Sequence, residues 1–279
     1  KTACPAHIAV QGYLKMAAQS RYNDALALIK KDNPFPAVCG RVCNKRCEEA
    51  CTRATLDEAV AIDDVKRFIA QKDLDSKTRY IPKKVIPSNR GEFKNKIAII
   101  GGGPAGLSCA YYLALTGYRP IVFEKNEKPG GMLTYGIPSY KLEKDVVEAE
   151  IDIIRALGVE IKCGVEVGKD ITLDELRKDG YEAFYIAIGC QGSRKSGVDG
   201  EDADGVMSAV DILHEIAENH DLNLKGNKTV VIGGGNVAVD VARSTKRCGA
   251  DVLGMFCLES REEMPASEEE IFETEDEGI

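Results

Sequence analysis

The sequence predicts an α/β protein in which two similar strand–turn–helix units follow a small all-α segment. Three observations predict it. A glycine-rich turn occurs twice, each time after a short apolar run and ahead of a helix-like stretch: Ile97-Ala98-Ile99-Ile100-Gly101-Gly102-Gly103-Pro104-Ala105-Gly106, and Val230-Val231-Ile232-Gly233-Gly234-Gly235-Asn236-Val237-Ala238. From Lys96 onward, short apolar runs alternate with amphipathic stretches, the pattern of a parallel sheet covered by helices. Ahead of them the periodicity is helical, and five of the ten cysteines fall in the first 51 residues.

Each element has its own signal. Within residues 6–31, Ile8, Tyr13, Leu14, Met16 and Ala17 suggest one helix, and Ala25, Leu26, Leu28 and Ile29 a second, before Asn33-Pro34-Phe35-Pro36 breaks the pattern. A third helix fits residues 59–72, with Val60, Ile62, Val65, Phe68 and Ile69 on its apolar face. Residues 73–94 are polar, hold Pro82 and Pro87, and read as a linker wrapping the surface. Strands are expected over 97–101, 120–124, 159–163, 183–188, 229–233 and 251–257, and helices over 105–117, 142–157, 172–178, 208–219, 236–248 and 267–277. Residues 193–205, rich in Gly and Asp, suit a crossover. These readings divide the chain into an all-α domain over 1–75, a linker over 76–95, and two dinucleotide-binding domains over 96–205 and 206–279.

Composition narrows the function. An apolar fraction of 44% over 279 residues supplies ample core. The net charge of −8, with no basic run, excludes nucleic acid as an expected partner. No apolar stretch approaches the roughly 20 residues of a membrane span, and no leader pattern is visible, so a cytoplasmic protein is expected. The chain starts at Lys1-Thr2-Ala3-Cys4-Pro5 and ends at Glu275-Asp276-Glu277-Gly278-Ile279, soon after a strand–helix unit has begun. It reads as a fragment of a longer polypeptide, cut at both ends.

The glycine turns carry the first chemistry. In Gly101-x-Gly103-x-x-Gly106 the first glycine permits a tight turn, the second lets backbone approach a pyrophosphate, and the third lets helix and strand pack closely. Free N–H groups and the positive end of the helix dipole then face the phosphates. Pro104 costs little at an early helical position. Glu124 ends the second strand about 20 residues on, where a carboxylate accepts from a ribose hydroxyl. Gly233-x-Gly235-x-x-Ala238 is the variant with Ala in third place, and Asp240, Val241 and Arg243 continue its helix. Two Rossmann-like units imply two dinucleotides and electron movement between them.

The cysteines carry the second. Cys39, Cys43, Cys47 and Cys51 repeat at every fourth residue, and Cys4-Pro5 lies upstream. Thiolates at this density suit an iron–sulfur cluster. Zinc, more often held by two close Cys pairs, and a disulfide or free-thiol segment are the alternatives. Cys109, Cys163, Cys190, Cys248 and Cys257 lie among apolar or small residues and read as ordinary buried thiols. Neither glycine-turn unit holds a closely spaced Cys pair, and His7, His214 and His220 are dispersed. No side chain is therefore expected to be catalytic; the cofactors do the chemistry.

The Cys-Gly-Arg-Val-Cys segment, Thr55-Leu56-Asp57-Glu58 with Val60-Ala61-Ile62, and the two glycine turns occur here in the order found in the glutamate synthase small-subunit family, which the chain resembles over essentially its whole length. Dihydropyrimidine dehydrogenase and the large subunit of NADH-dependent ferredoxin:NADP oxidoreductase share the module. The resemblance implies two dinucleotide-binding domains behind an all-α iron–sulfur domain. It makes the first turn an FAD site, lined by Gly101, Gly103, Pro104, Ala105, Gly106, Glu124, Lys125, Gly130, Gly131, Met132, Leu133, Ile137 and Gly189. The second becomes an NAD(P) site, with Gly233, Gly235, Asn236, Val237, Ala238, Asp240, Glu259, Ser260 and Arg261. Relatives that use NADPH carry an Arg pair where this chain has Leu258-Glu259; a carboxylate beside a 2′-phosphate is repulsive, so NAD is expected over NADP. By position, Cys4, Cys43 and Cys47 bind one 4Fe-4S cluster, and Cys51 joins three upstream cysteines, absent from this sequence, in binding another. Cys39 is a further candidate. Where relatives complete the first cluster with Glu or Gln, this chain has Lys66. The final segment that returns to the FAD domain in relatives is also absent here. The implied function is electron passage between NAD(P)H and 4Fe-4S clusters through FAD, with a partner subunit or further domains. The small subunit of NADPH-dependent glutamate synthase and a non-catalytic nucleotide-binding scaffold are the alternatives.

Overall fold

The structure is a computed structural model that describes residues 2–86, 91–193, 195, 197–219 and 222–279. Pro87, His220 and two residues of the expected crossover lie outside the described residues. The chain forms two compact units: Lys1–Thr134 with Tyr140–Gly189, and Tyr135–Ser139 with Cys190–Ile279.

In the first unit, α1 (Val10–Ala18), α2 (Tyr22–Ile29), α3 (Pro36–Val42), the short α4 (Arg46–Glu49) and α5 (Ile62–Leu74) precede any strand. Ile8, Tyr13, Ala25, Leu26, Ile29, Ile62 and Ile69 make their core, with Cys4 and Cys47 packed against it. α3 was not expected. Asn33-Pro34-Phe35-Pro36 has the composition of a breaker, yet Pro36 is the first residue of α3, where the missing N–H costs nothing. Asn33 Oδ1 accepts from the Phe35 amide at 2.9 Å and shapes that start. Gly40 lets α3 lie on α5: a Cβ there stands 2.8 Å from the Arg67 Cα.

The sheet follows: β1 (Lys96–Ile100), α6 (Pro104–Leu115), β2 (Arg119–Glu124), α7 (Met132–Tyr135), α8 (Lys144–Ala156), β3 (Glu160–Cys163), α9 (Leu173–Lys178) and β4 (Tyr181–Ile186). Its order is β3-β2-β1-β4, with every pairing parallel. β1 is central, and Ile97, Ala98, Ile99 and Ile100 are all buried. A buried ionic knot joins the helical segment to α8. Glu150 Oε1 meets Lys30 Nζ at 3.3 Å, and its Oε2 accepts from the Ala37 amide at 3.1 Å. Arg79 bridges Glu150 at 3.5 Å and Asp73 at 2.7 Å. The linker lies along this unit, its Val85 and Phe93 amides donating to the carbonyls of Leu115 and Gly117.

In the second unit α10 (Ala209–Glu218) leads into β5 (Lys228–Ile232), α11 (Asn236–Arg247), β6 (Asp251–Phe256) and α12 (Glu268–Asp276). β5 and β6 pair in parallel. Ile212, Leu213, Val231, Ala238, Val241 and Ala242 form the core. α12 is fastened to α11 by the buried Arg243, which meets Glu273 at 2.6 Å and Glu277 at 2.7 Å.

All six expected strands form, each starting within two residues of its expected position. One expectation is corrected. The five scattered cysteines are not buried: Cys109, Cys163, Cys248 and Cys257 are half-exposed, and Cys190, in the loop after β4, is exposed. All ten cysteines are free thiols. Among the described residues, no helix is long and apolar enough to cross a membrane.

Candidate functional site

The first glycine turn is locked from two sides. Gly101 has φ +106°, and a Cβ there stands 2.3 Å from the Ala187 carbonyl oxygen. Gly131, with φ +55°, lies against Gly103: a Cβ on Gly131 stands 2.9 Å from the Gly103 Cα. The Gly130 amide donates to the Gly102 carbonyl at 2.7 Å, and the Ala187 amide donates to Ile100 at 2.8 Å. The turn after β1, the Gly130-Gly131 turn after β2 and the chain leaving β4 toward Gly189 thus meet at one place. Met132 and Leu133 open α7 directly after it, and Ile137 follows in the second unit.

Glu124 is buried at the end of β2. Its Oε2 accepts from the Gly102 amide at 2.7 Å and its Oε1 from the Asn126 amide at 2.9 Å. Two fixed donors hold the carboxylate against the turn. Lys125 follows it on the exposed side.

The glycine turns leave their helices open. α9, α10 and α12 begin on Thr172, Ser208 and Ser267, whose side chains accept from backbone amides. α6 and α11 begin on Gly103 and Gly235, with no side-chain acceptor, as do α1–α5 and α8; what sets α6 and α11 apart is the glycine itself, which leaves no side chain over the helix start. Each therefore presents unpaired first-turn amides at the positive end of its dipole, as Pro104-Ala105 and Asn236-Val237 begin the helix. A Cβ on Gly235 would meet open space and one on Gly103 nothing nearer than Gly131 Cα at 3.8 Å, so the turns leave room over these amides that fits a dinucleotide pyrophosphate.

The third position separates the two turns. A Cβ on Gly106 stands 2.0 Å from the Gly101 carbonyl oxygen, so α6 and β1 leave no room for a side chain there. In the second turn Ala238 is accommodated, its Cβ 3.4 Å from where a Cβ on Gly233 would lie. Other residues are already committed. Asn236 Oδ1 accepts from the Ser267 amide at 2.9 Å, and Ala266 N–H donates to Gly234 at 3.0 Å. Asp240 is half-buried on α11. Glu259 reaches back to the turn: its Oε2 is 3.6 Å from a Cβ placed on Gly234, as Glu124 Oε2 is 3.0 Å from one placed on Gly102. Ser260 is exposed, and Arg261 lies between Glu268 at 3.3 Å and Glu275 at 3.2 Å.

The cysteines separate into three environments. Cys4, Cys43 and Cys47 line one cavity with Tyr13 and Lys66. Burial and the neighbouring Cys43 and Glu48 push the Cys47 thiol up. Cys39 points elsewhere, its thiol 3.8 Å from Asn33 Oδ1, and burial raises it too. The Cys51 thiol is held below its usual range by the Val60, Arg53 and Ala54 backbone amides and does not line the cavity. Lys66 is buried in an ion pair with Asp63. Burial pulls its ammonium toward neutrality, yet Asp63 and the Cys43 and Cys39 thiols outweigh that and hold its pKa above the usual lysine range. Among the described residues, no three His, Cys, Asp or Glu groups are gathered tightly enough for a single metal ion. Cys4, Cys43 and Cys47 nonetheless share one cavity lining, and a set of thiols is the donor chemistry of an iron–sulfur cluster.

Tyr13 and Lys66 are the cavity's contributions that cysteine spacing does not reveal. The fourth-place resemblance pointed to Lys66; nothing in the sequence pointed to Tyr13.

Residues 1–78 match the family model for dihydropyrimidine dehydrogenase domain II, 4Fe-4S cluster, and residues 95–273 that for pyridine nucleotide-disulphide oxidoreductase. The beta subunit of NADP(+)-dependent formate dehydrogenase from Moorella thermoacetica is 40% identical over 99% of this chain and 41% of its own length. The glutamate synthase [NADPH] small chain of Escherichia coli is 36% identical over 99% of this chain and 60% of its own. This chain thus spans about half the length of such relatives. The structure of Mycobacterium tuberculosis FprA in complex with NADPH matches in fold, with TM-score 0.55 and 23% identity over 65% of this chain and 47% of that one.

Proposed function

The chain belongs to the pyridine nucleotide-disulphide oxidoreductase family and is an NAD(P)H-dependent oxidoreductase akin to glutamate synthase small chains, as its motifs predict; we propose that it is an electron-exchange module working between NADH, FAD and a 4Fe-4S cluster inside a larger cytoplasmic enzyme. One observation carries the reading: two uncapped glycine-turn helices stand in a chain whose helical segment gathers three thiols around one cavity. When bound, flavin and cluster supply the hydride and single-electron chemistry. The chain's residues position them. The first turn, with Gly130, Gly131 and Gly189, forms the backbone cradle for the FAD pyrophosphate, and Glu124 stands at the ribose. The α11 amides and Glu259 take the corresponding roles for the nicotinamide nucleotide. Cys4, Cys43 and Cys47 hold the cluster, and Cys51 belongs to a second ligand set.

NADH is favoured as donor by two observations. Glu259 is directed at the second turn, where its charge suits a free ribose hydroxyl. Arg261, the nearby cation, is engaged by Glu268 and Glu275. The identity to glutamate synthase [NADPH] small chains supports a second reading, a glutamate synthase subunit using NADPH. Partner chains or further domains supply the terminal acceptor.

An anaerobic visible spectrum of the full-length protein tests the module, with iron, sulfide and flavin content and titration by NADH and NADPH. Bleaching of both flavin and cluster bands by NADH is expected. Protein that stays colourless after iron–sulfide and FAD reconstitution refutes it in favour of a nucleotide-binding scaffold, and a strong preference for NADPH refutes the donor assignment.

A further inference from the structure

The second glycine turn keeps the first turn's register with its neighbouring strand but changes one side chain. Gly101 N–H donates to the Phe123 carbonyl at 2.8 Å, and Gly233 N–H donates to the Phe256 carbonyl at 2.8 Å. The residue after each phenylalanine therefore faces the middle glycine of its turn. In the first turn that residue is Glu124, whose Cβ lies 3.1 Å from a Cβ placed on Gly102. In the second it is Cys257, whose Cβ and Sγ each lie 3.0 Å from a Cβ placed on Gly234. A thiol thus stands where the pattern calls for the carboxylate that accepts from a ribose hydroxyl.

A thiol cannot take over that task, because it offers one weak donor and a weak acceptor in place of two charged oxygens. The Cys257 thiol is directed at the Glu259 carbonyl, 3.5 Å away. The Glu259 carboxylate returns to the same glycine from two residues further on, with Oε2 3.6 Å from a Cβ on Gly234. The two carboxylates are held differently. Glu124 is buried and accepts from the Gly102 and Asn126 amides, whereas Glu259 is exposed on the loop after β6.

Resting on the assignment of the second turn to the nicotinamide nucleotide, we infer that Cys257 lines the adenosine-ribose seat of that site and determines how the ribose is read. A thiol at the strand end hands recognition of the ribose to Glu259 on the loop. Cys257 is half-exposed, so a nucleotide seated on the turn covers its sulfur. A carboxylate at 257 would instead stand as Glu124 does and make Glu259 dispensable, since Gly234 leaves it the same clearance that Gly102 leaves Glu124.

The test uses the full-length protein and ADP-ribose, which carries the adenosine ribose and no redox group. Labelling of each thiol by N-ethylmaleimide is followed by peptide mass spectrometry. ADP-ribose at about ten times its dissociation constant should slow labelling of Cys257 about tenfold. Cys248, also half-exposed but at the far end of α11, is the internal control and should be unaffected, and nicotinamide mononucleotide should protect neither. Unslowed labelling of Cys257 with ADP-ribose bound, or equal protection by the mononucleotide, overturns the inference. Affinity gives a second measurement that does not depend on thiol reactivity. Glu259→Gln should weaken ADP-ribose binding about tenfold, and adding Cys257→Glu should restore it. A folded double variant that binds no better than Glu259→Gln overturns the inference, and the labelling result stands alone if the double variant does not fold. Failure of the underlying reading looks different, because the wild type would then show no ADP-ribose binding by calorimetry.

Discussion

Gly106→Ala is the sharpest perturbation of the flavin reading. A Cβ at 106 stands 2.0 Å from the Gly101 carbonyl oxygen and 3.1 Å from Ile99 Cγ2, where ordinary contact begins near 3.4 Å. The Gly101 side cannot yield, because its N–H donates to Phe123 at 2.8 Å and Ala187 fills the space beside its Cα. α6 must therefore retreat by about 1.4 Å. Overpacking of this kind costs about 1–3 kcal/mol, and a backbone obstacle places it at the top of that range. The same retreat carries the α6 amides away from the pyrophosphate, beyond good hydrogen-bond length. The expected result is a protein with little bound flavin and a lowered melting temperature, read from the flavin-to-protein ratio and thermal unfolding with and without added FAD. The reverse change in the second turn, Ala238→Gly, is the internal control: it relieves no clash and costs about 1 kcal/mol of helix propensity. Full flavin occupancy and unchanged melting in Gly106→Ala would refute the argument that this turn is packed for glycine alone.

Three other outcomes are expected. Glu150→Ala strands the Lys30 ammonium, whose side chain is 1% exposed, and should cost about 3–5 kcal/mol by urea unfolding, whereas Lys30→Met with Glu150→Leu should recover most of that. Burial depresses the Lys144 ammonium to about 8, so its penalty is full below that pH and fades toward the unfolded value of 10.5; wild-type stability should rise relative to Lys144→Met from about pH 8 to about 10.5, and a pH-independent difference would contradict the burial effect. Glu259→Arg should shift the kcat/KM ratio toward NADPH by about tenfold or more, a change of about 1.4 kcal/mol, while an unmoved ratio would detach Glu259 from donor choice.

Much of this was legible in the sequence because its signals are local. Strand–Gly-x-Gly–helix reads as one unit, since each glycine answers a backbone requirement within about ten residues. Parallel pairing follows once helices separate the strands, whereas the strand order β3-β2-β1-β4 is read only from the structure. The cysteine segment was less legible. Spacing cannot say that Cys39 turns toward Asn33 while Cys43 and Cys47 turn toward Cys4, because that depends on α3 ending at Val42 and Lys45 adopting φ +52° ahead of α4. α3 itself escaped because a proline that breaks one helix is also the ordinary first residue of the next. The commitment of Arg261 to Glu268 and Glu275 depends on where α12 lies, and no motif announces it.

The placement of the buried charges bears on how such a module works. Electron exchange between a flavin and a cluster needs a fixed separation, and flexible attachment of the cysteine segment would defeat it. The segment is instead bolted to the glycine-turn unit. Glu150 on α8 binds the Ala37 amide at the start of α3 and the Lys30 ammonium after α2, and Arg41 on α3 reaches Glu143 at the start of α8. Tyr111 on α6 adds a hydrogen bond of 2.9 Å to the Lys30 carbonyl. A hydrophobic interface could hold the same elements together as strongly; what the carboxylate adds is direction. A carboxylate with three directional partners has one low-energy register. The thiol cavity and the first glycine turn thus share one compact unit, and the second glycine turn belongs to the other.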